Sequence, residues 1–163
     1  MIYEVEGDIL LSGAHAIAHG VAPNDDFKSG LAHALRERWP AMYKAFRHYC
    51  HSAGHHVGHM WATMQADGHY LVALFTQEAP LAEGEHPQPA KLSLVNHALR
   101  DLRKFAEKEG IRSLALPRLA TGVGGLDWAE VKPLIEHHLG ELAIPVYVYS
   151  VFHPGVKATE PTA

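Results

Sequence analysis

The run Leu116–Trp128, LPRLATGVGGLDW, constrains this chain more than any other stretch. An apolar segment from Ile111 to Leu116 stops at Pro117, gives way to glycines at 122, 124 and 125, and restarts as a helix at Asp127-Trp128. Strand, glycine loop and helix in that order aim several backbone N–H groups at one point. Glycine lets a ligand approach the main chain, and the helix start adds unpaired N–H groups and a positive dipole end. The segment reads as a phosphate cradle, or else as a surface loop ending in a helix cap. Its spacing matches neither GxxxxGK[ST] nor GxGxxG, so it supports neither a nucleoside triphosphate loop nor a Rossmann dinucleotide grip.

Similar punctuation organises the rest of the chain. Residues 2–5 alternate as a short strand, with a turn at Gly7-Asp8, and Ala14 to His19 reads as a buried strand. Leu31 to Tyr49 carries apolar residues at helical spacing, kinked or interrupted at Pro40. Residues 57–65 and 69–76 read as a hairpin with a two-residue turn at Asp67-Gly68. A proline-rich loop at 79–90 leads into a helix from Leu92 to Glu109, closed by Gly110. Ile111–Leu116 and Val146–Val151 complete the strands. At the last helix, Asp127 and Glu130 have capping-box spacing, and Pro133 suggests that 128–132 is a separate turn with Pro133 opening the main helix. Helices alternating with buried strands predict a three-layer α/β/α sandwich with a mixed central sheet. Ligands then sit beyond the carboxyl ends of the strands, where the loops 20–30, 76–90 and 117–127 are expected to converge.

Composition sets the outer limits. A chain of 163 residues predicts a single domain, and a formal net charge of −4 argues against a surface that coats nucleic acid or anionic membrane. An anionic ligand must then be held by local geometry. No apolar run is long enough for a bilayer and no secretory leader is expected, so the reading is cytoplasmic. One cysteine, Cys50, excludes an internal disulfide. Of 14 histidines, His48, His51, His55, His56 and His59 crowd one stretch. Glycines interrupt it and it contains no carboxylate, so no metal site is expected there.

Gly7-Asp8-Ile9, Ala16-Ile17-Ala18-His19, Lys28-Ser29-Gly30-Leu31, and Pro117 to Gly122 running into Gly125-Leu126-Asp127-Trp128 together resemble a macrodomain. More narrowly they are similar to the branch containing the terminal ADP-ribose protein glycohydrolase. The resemblance covers residues 2 to 152 and implies a single macrodomain-like domain over 1–158; the sequence from Thr159 reads as a frayed tail over 159–163. It implies ADP-ribose as ligand, with no cofactor. Asp8 would accept from the adenine amino group beside Ile9, or else serve only as a turn residue. Ser29, Gly30 and Leu31 match the first diphosphate loop, with Lys28 adding charge or remaining solvated. Thr121, Gly122, Val123 and Gly124 match the second loop. Tyr149 and Phe152 would flank adenine or ribose, with core packing the alternative for Tyr149. Asn24 or Asp26 would reach the distal ribose. Asp127 reads as structural.

The same resemblance exposes a gap. The branch uses a lysine nucleophile and an aspartate in the second glycine loop, and alignment puts Gln88 and Gly124 at those positions. An amide forms no Schiff base and glycine offers no acid; Lys91 could substitute only if the loop were shifted. The expected function is therefore removal of ADP-ribose from acidic residues of proteins by direct water attack. The alternatives are a non-catalytic ADP-ribose-binding module and an ADP-ribose 1″-phosphate phosphatase using His19, Asp26 or His86. The expected partner is ADP-ribose or an ADP-ribosylated protein, with nucleic acid only as an ADP-ribosylated substrate, no membrane, and a monomeric chain.

Overall fold

The computed structural model describes residues 1–53, 57–82, 85 and 87–162. In chain order it contains β1 (Ile2–Gly7), a short 3-10 turn (Ile9–Leu11), β2 (Ala16–Val21), α1 (Gly30–Arg38), α2 (Pro40–Ala53), β3 (Met60–Met64) and β4 (Tyr70–Phe75). These are followed by α3 (Leu92–Lys108), β5 (Leu114–Pro117), α4 (Trp128–Leu139) and β6 (Val146–Phe152). All six strands form one sheet of order β1-β6-β5-β2-β4-β3. Its pairings are parallel except β3 with β4.

Strand periodicity places the helices. Ile17, Val21, Leu71, Phe75 and Tyr147 point to one face, where they pack with Leu35, Met42 and Phe46 of α1 and α2. Their alternates Ala16, Ala18, Val72, Leu74 and Val148 point to the other, against Leu99 and Leu102 of α3 and Ile135 of α4. Two apolar cores on opposite faces of a mixed sheet make the expected three-layer α/β/α sandwich.

The interruption expected at Pro40 is present: Trp39 takes φ −130° and ψ 74° and Pro40 then starts α2, where a missing N–H costs nothing. Other elements differ from expectation. The hairpin closes with Gln65 N donating to the His69 carbonyl at 2.7 Å and Gly68 at φ 90°. That is a three-residue loop, longer than the two-residue turn the Asp67-Gly68 pair suggests. α4 runs continuously from Trp128 through Pro133. Burial of Val131, Ile135 and Leu139 along one stripe carries it past the proline. Asp127 is its N-cap through backbone alone: its carbonyl accepts from Glu130 N at 3.0 Å, its side chain makes no cap bond, and no capping box forms.

The chain end is held, contrary to the frayed tail expected from 159. Glu160 accepts from Ser12 Oγ at 2.6 Å, from Gly13 N at 3.0 Å and from the Tyr149 hydroxyl at 2.6 Å, and the Tyr147 hydroxyl donates to the Pro161 carbonyl. Among the described residues no helix is long and apolar enough to cross a membrane.

Candidate functional site

Parallel strands deliver their following loops to one edge of the sheet. There the loops after β2, β4 and β5 meet around a cavity of about 750 Å³. Its wall includes Ser29 and Gly30 at the start of α1, Gln77 after β4, and Gly122, Val123 and Gly124 after β5. The convergence expected of 20–30, 76–90 and 117–127 is therefore present. Gly30 sits at φ 61° with open space where a Cβ would lie, which leaves its backbone accessible to a ligand.

Gly30, Leu31 and Pro117 also border a second cavity of about 480 Å³ toward β1 and β6. Gly7, Ile9, Leu10, Ala34, Tyr149 and Phe152 complete that apolar slot. Tyr149 is both wall and anchor, because its hydroxyl is tied to Glu160. Burial, followed by that hydrogen bond, drives its pKa well above the usual phenol range. An apolar slot thus adjoins the glycine-lined cavity.

Not every expected residue faces these cavities. Asp8 is buried, with Oδ1 accepting from Leu10 N and Oδ2 from Gly155 N, each at 3.0 Å. It locks the end of β1 to the segment after β6, and Ile9, not Asp8, forms the slot wall. Thr121 turns back to donate to the Arg118 carbonyl at 2.8 Å. Lys28 reaches the cradle, exposed and 3.7 Å from Asp26. Asn24 lies outside the cradle, in an adjoining polar hollow. His86 lies outside the described residues.

Gln88 is not at the site. Its Nε2 donates to the Ala79 carbonyl at 3.2 Å, and it borders none of these cavities. The amide that lines the cradle is Gln77, 5% exposed, whose Nε2 donates to the Gln88 carbonyl at 2.8 Å. Pairing between Gln77 and Ala90 fixes the Gln77 backbone. The signal for Gln77 was its place two residues past the end of a buried strand. Lys91 pairs with Glu78 at 3.3 Å on the surface and does not reach the cradle, so it is no substitute nucleophile.

The loop after β2 supplies a second group that sequence reading passed over. Asp25 is half-buried where the cradle meets the polar hollow, and burial raises its carboxyl above the usual range. Two non-glycine residues of this loop, Asn24 (φ 61°) and Phe27 (φ 54°), are left-handed. Such a conformation costs about 1–3 kcal/mol per residue. Full burial of Phe27, against Phe46 at 4.7 Å and His19 at 5.6 Å between centroids, contributes about 1.5–3 kcal/mol and holds the loop in place. His19 itself is 3% exposed, its Nδ1 has no hydrogen-bond partner, and burial lowers its pKa to about 4. It is a neutral ring, poorly suited to the acid role considered for a phosphatase. Thr76 Oγ1 is a second buried polar atom without a partner, lying 2.8 Å from where a Cβ on Gly20 would be. Among the described residues no three His, Cys, Asp or Glu side chains gather to hold a metal; His55 and His56 fall outside that set.

The fold and sequence of this chain find counterparts among known proteins. A DNA ADP-ribosyl transferase–DNA ADP-ribosyl glycohydrolase fusion protein from Thermosipho africanus is 29% identical over 157 residues, covering 89% of this chain. The chain spans only 40% of that protein's length. The macrodomain of Thermus aquaticus DarG superposes with a TM-score of 0.79 at 26% identity, over 92% of this chain and 98% of that one. Thermosipho africanus DarTG in complex with ADP-ribose shares the fold, with a TM-score of 0.78 at 24% identity over 96% of this chain and 42% of its own. The macro domain family model matches residues 16–135, which is most of the chain and includes the first and second glycine loops, and on that match the chain belongs to the macro domain family.

Proposed function

We propose that this chain binds ADP-ribose and hydrolyses the bond joining its distal ribose to a macromolecule. The observation that carries the reading is the contiguity of the two cavities through Gly30, Leu31 and Pro117. Adenine occupies the slot beside Ile9, Tyr149 and Phe152. The pyrophosphate lies between the start of α1 and the loop Gly122–Gly124, where main-chain N–H groups compensate its charge. The distal ribose then reaches Gln77 and Asp25. The relatives named as DNA ADP-ribosyl glycohydrolases support the same chemistry.

Lys28, the lysine that lines the cradle among the described residues, is exposed and turned toward Asp26, so the reaction proceeds by direct water attack without a covalent enzyme intermediate. Gln77 Nε2 is engaged with the Gln88 carbonyl, which leaves Oε1 to hold a water or a ribose hydroxyl. The water oxygen bonds to the distal ribose C1″, the bond to the acceptor breaks, and the water proton passes to the Asp25 carboxylate and then to the departing group. Positioning supplies most of the acceleration. The leaving group is a carboxylate if the acceptor is an acidic protein side chain, or a base nitrogen if it is DNA.

Gly124 and Gln77, where a hydrolase would gain from charged groups, favour a second reading: a module that binds ADP-ribose without cleaving it. Two measurements separate them. Calorimetry with ADP-ribose, NAD and ADP should give one-to-one binding that is strongest for ADP-ribose; equal affinities would remove the site assignment. Release of ADP-ribose from a modified glutamyl peptide or a modified oligonucleotide identifies the hydrolase, and binding without release identifies the module.

A further inference from the structure

The cradle opens on its far side into the polar hollow of about 870 Å³. The two share Asp25, Asp26, Lys28, Glu85 and Pro87, which form a throat between them. Among the described residues, the carboxyls that line the hollow belong to this throat. Beyond it the character changes: Arg36 of α1 and Tyr43, Arg47 and His51 of α2 line the hollow and not the cradle.

The geometry of these cations is fixed by one buried phenol. The Arg36 guanidinium lies 4.0 Å from the centroid of the Tyr43 ring, and its Nη1 donates to the Asp26 carbonyl at 2.9 Å. Arg47 Nη1 donates to the Tyr43 hydroxyl at 3.1 Å. Tyr43, Arg47 and His51 recur every four residues on α2 and so share a helix face. Among the described residues no carboxylate pairs with Arg36, so a guanidinium on an aromatic ring faces the hollow with most of its donors unspent by ion pairing.

This inference rests on the ADP-ribose reading. With adenine in the slot and pyrophosphate in the cradle, the acceptor attached to the distal ribose leaves through the throat and lies in the hollow. An uncharged peptide around a modified glutamate offers no anion to the Arg36 guanidinium that faces the hollow. A nucleic-acid strand carries a phosphate on each side of every base, and guanidinium forks match phosphate oxygens. We infer that the Arg36–Tyr43–Arg47 hollow is the acceptor-side site and binds a backbone phosphate of a nucleic-acid strand modified with ADP-ribose. The chain's net charge of −4 confines that contact to this local patch.

The test is displacement of a fluorescent ADP-ribose probe from the full chain by three ligands. They are a short single-stranded DNA oligonucleotide bearing ADP-ribose on a base, the same ADP-ribosylated nucleoside without phosphates, and an ADP-ribosylated glutamyl peptide. The oligonucleotide should bind at least about tenfold more tightly than the nucleoside, and raising salt should shrink the advantage, as phosphate contacts require. Arg47→Gln should erase the advantage and leave free ADP-ribose affinity unchanged, because Arg47 is exposed and lies outside the cradle. Arg36→Gln should do the same, which guards against a local effect of either substitution. Equal binding of oligonucleotide and nucleoside overturns the inference, as does an advantage that both variants retain. A peptide that matches the oligonucleotide and loses its advantage equally in the variants also overturns it, in favour of protein acceptors. Failure of wild-type protein to bind free ADP-ribose removes the underlying reading and the inference with it, a result distinct from the other three.

Discussion

The Ala90 N–H donates to the Gly124 carbonyl at 2.9 Å, and a Cβ built on Gly124 would lie 2.9 Å from Ala90 Cβ and 2.6 Å from the Ala120 carbonyl oxygen. The second glycine loop is therefore seated directly on the segment that leads into α3. An aspartate at this position, as in the hydrolases the sequence resembles, has no room on this backbone.

Gly124→Asp should accordingly fail to add a catalytic group. Relief of a contact this short requires backbone movement, at a cost of about 1–3 kcal/mol. The variant should melt several degrees lower and bind ADP-ribose more weakly in calorimetry. A variant with wild-type melting temperature and faster ADP-ribose release would show that the loop moves freely and that the glycine is not needed for packing.

The two glutamines make opposite predictions. Gln77 is buried in the cradle wall, and Gln88 points its amide at the Ala79 carbonyl. Gln88→Ala should change release of ADP-ribose by less than about twofold, since the backbone carbonyl that receives Gln77 is retained. Gln77→Ala should slow release at least about tenfold, a loss of about 1.4 kcal/mol of transition-state stabilisation, with a smaller effect on ADP-ribose affinity. If the protein only binds, the contrast should appear in affinity alone. Equal responses from the two variants would place neither amide in the reaction.

These residues show what the sequence could and could not convey. Strand alternation and helix stripes follow from local burial, so the layers and most of the elements were legible, as was the meeting of three loops at the strand ends. The glycine loops were legible because their backbone function leaves a composition signature. Gln77 and Asp25 were not, because a polar residue in the loop after a strand looks the same whether it faces solvent or a cavity. Glu160 bonds to Ser12 across 148 positions, a contact no local pattern encodes, and it turns an expected loose end into an anchor for Tyr149. Pro133 misled in the other direction: its local cost is outweighed by the apolar stripe of α4.

His19 gives the fold a titration of its own. Its folded pKa is lowered by burial from 6.5 to about 4. Below pH 6.5 the unfolded chain takes up a proton that the folded chain refuses until about pH 4, so this group's contribution to stability falls as pH drops through that window. The full loss is about 3 kcal/mol, of which about 2 kcal/mol falls between pH 7 and pH 5. Denaturant titrations at those two pH values should show His19→Gln losing about 2 kcal/mol less than wild type. Equal losses would mean that the ring is protonated, and therefore hydrated, in the folded state.

Gly122 tests the phosphate cradle itself. Unlike Gly124, it has nothing within 4 Å of a Cβ, and it lines the cavity between the two loops. A glutamate there meets no steric barrier and extends its carboxylate into the space where N–H groups await an anion. Gly122→Glu should keep the melting temperature within a degree or two, because the position is exposed and the added side chain displaces no protein atom. ADP-ribose affinity should fall more than about a hundredfold, over 2.7 kcal/mol, from blocked volume and charge repulsion together. Gly122→Ala, which adds a methyl group without charge, should lose far less. If the glutamate variant instead binds ADP-ribose as tightly as wild type, the pyrophosphate does not lie between Gly30 and Gly122, and the ligand must be sought elsewhere on the sheet edge.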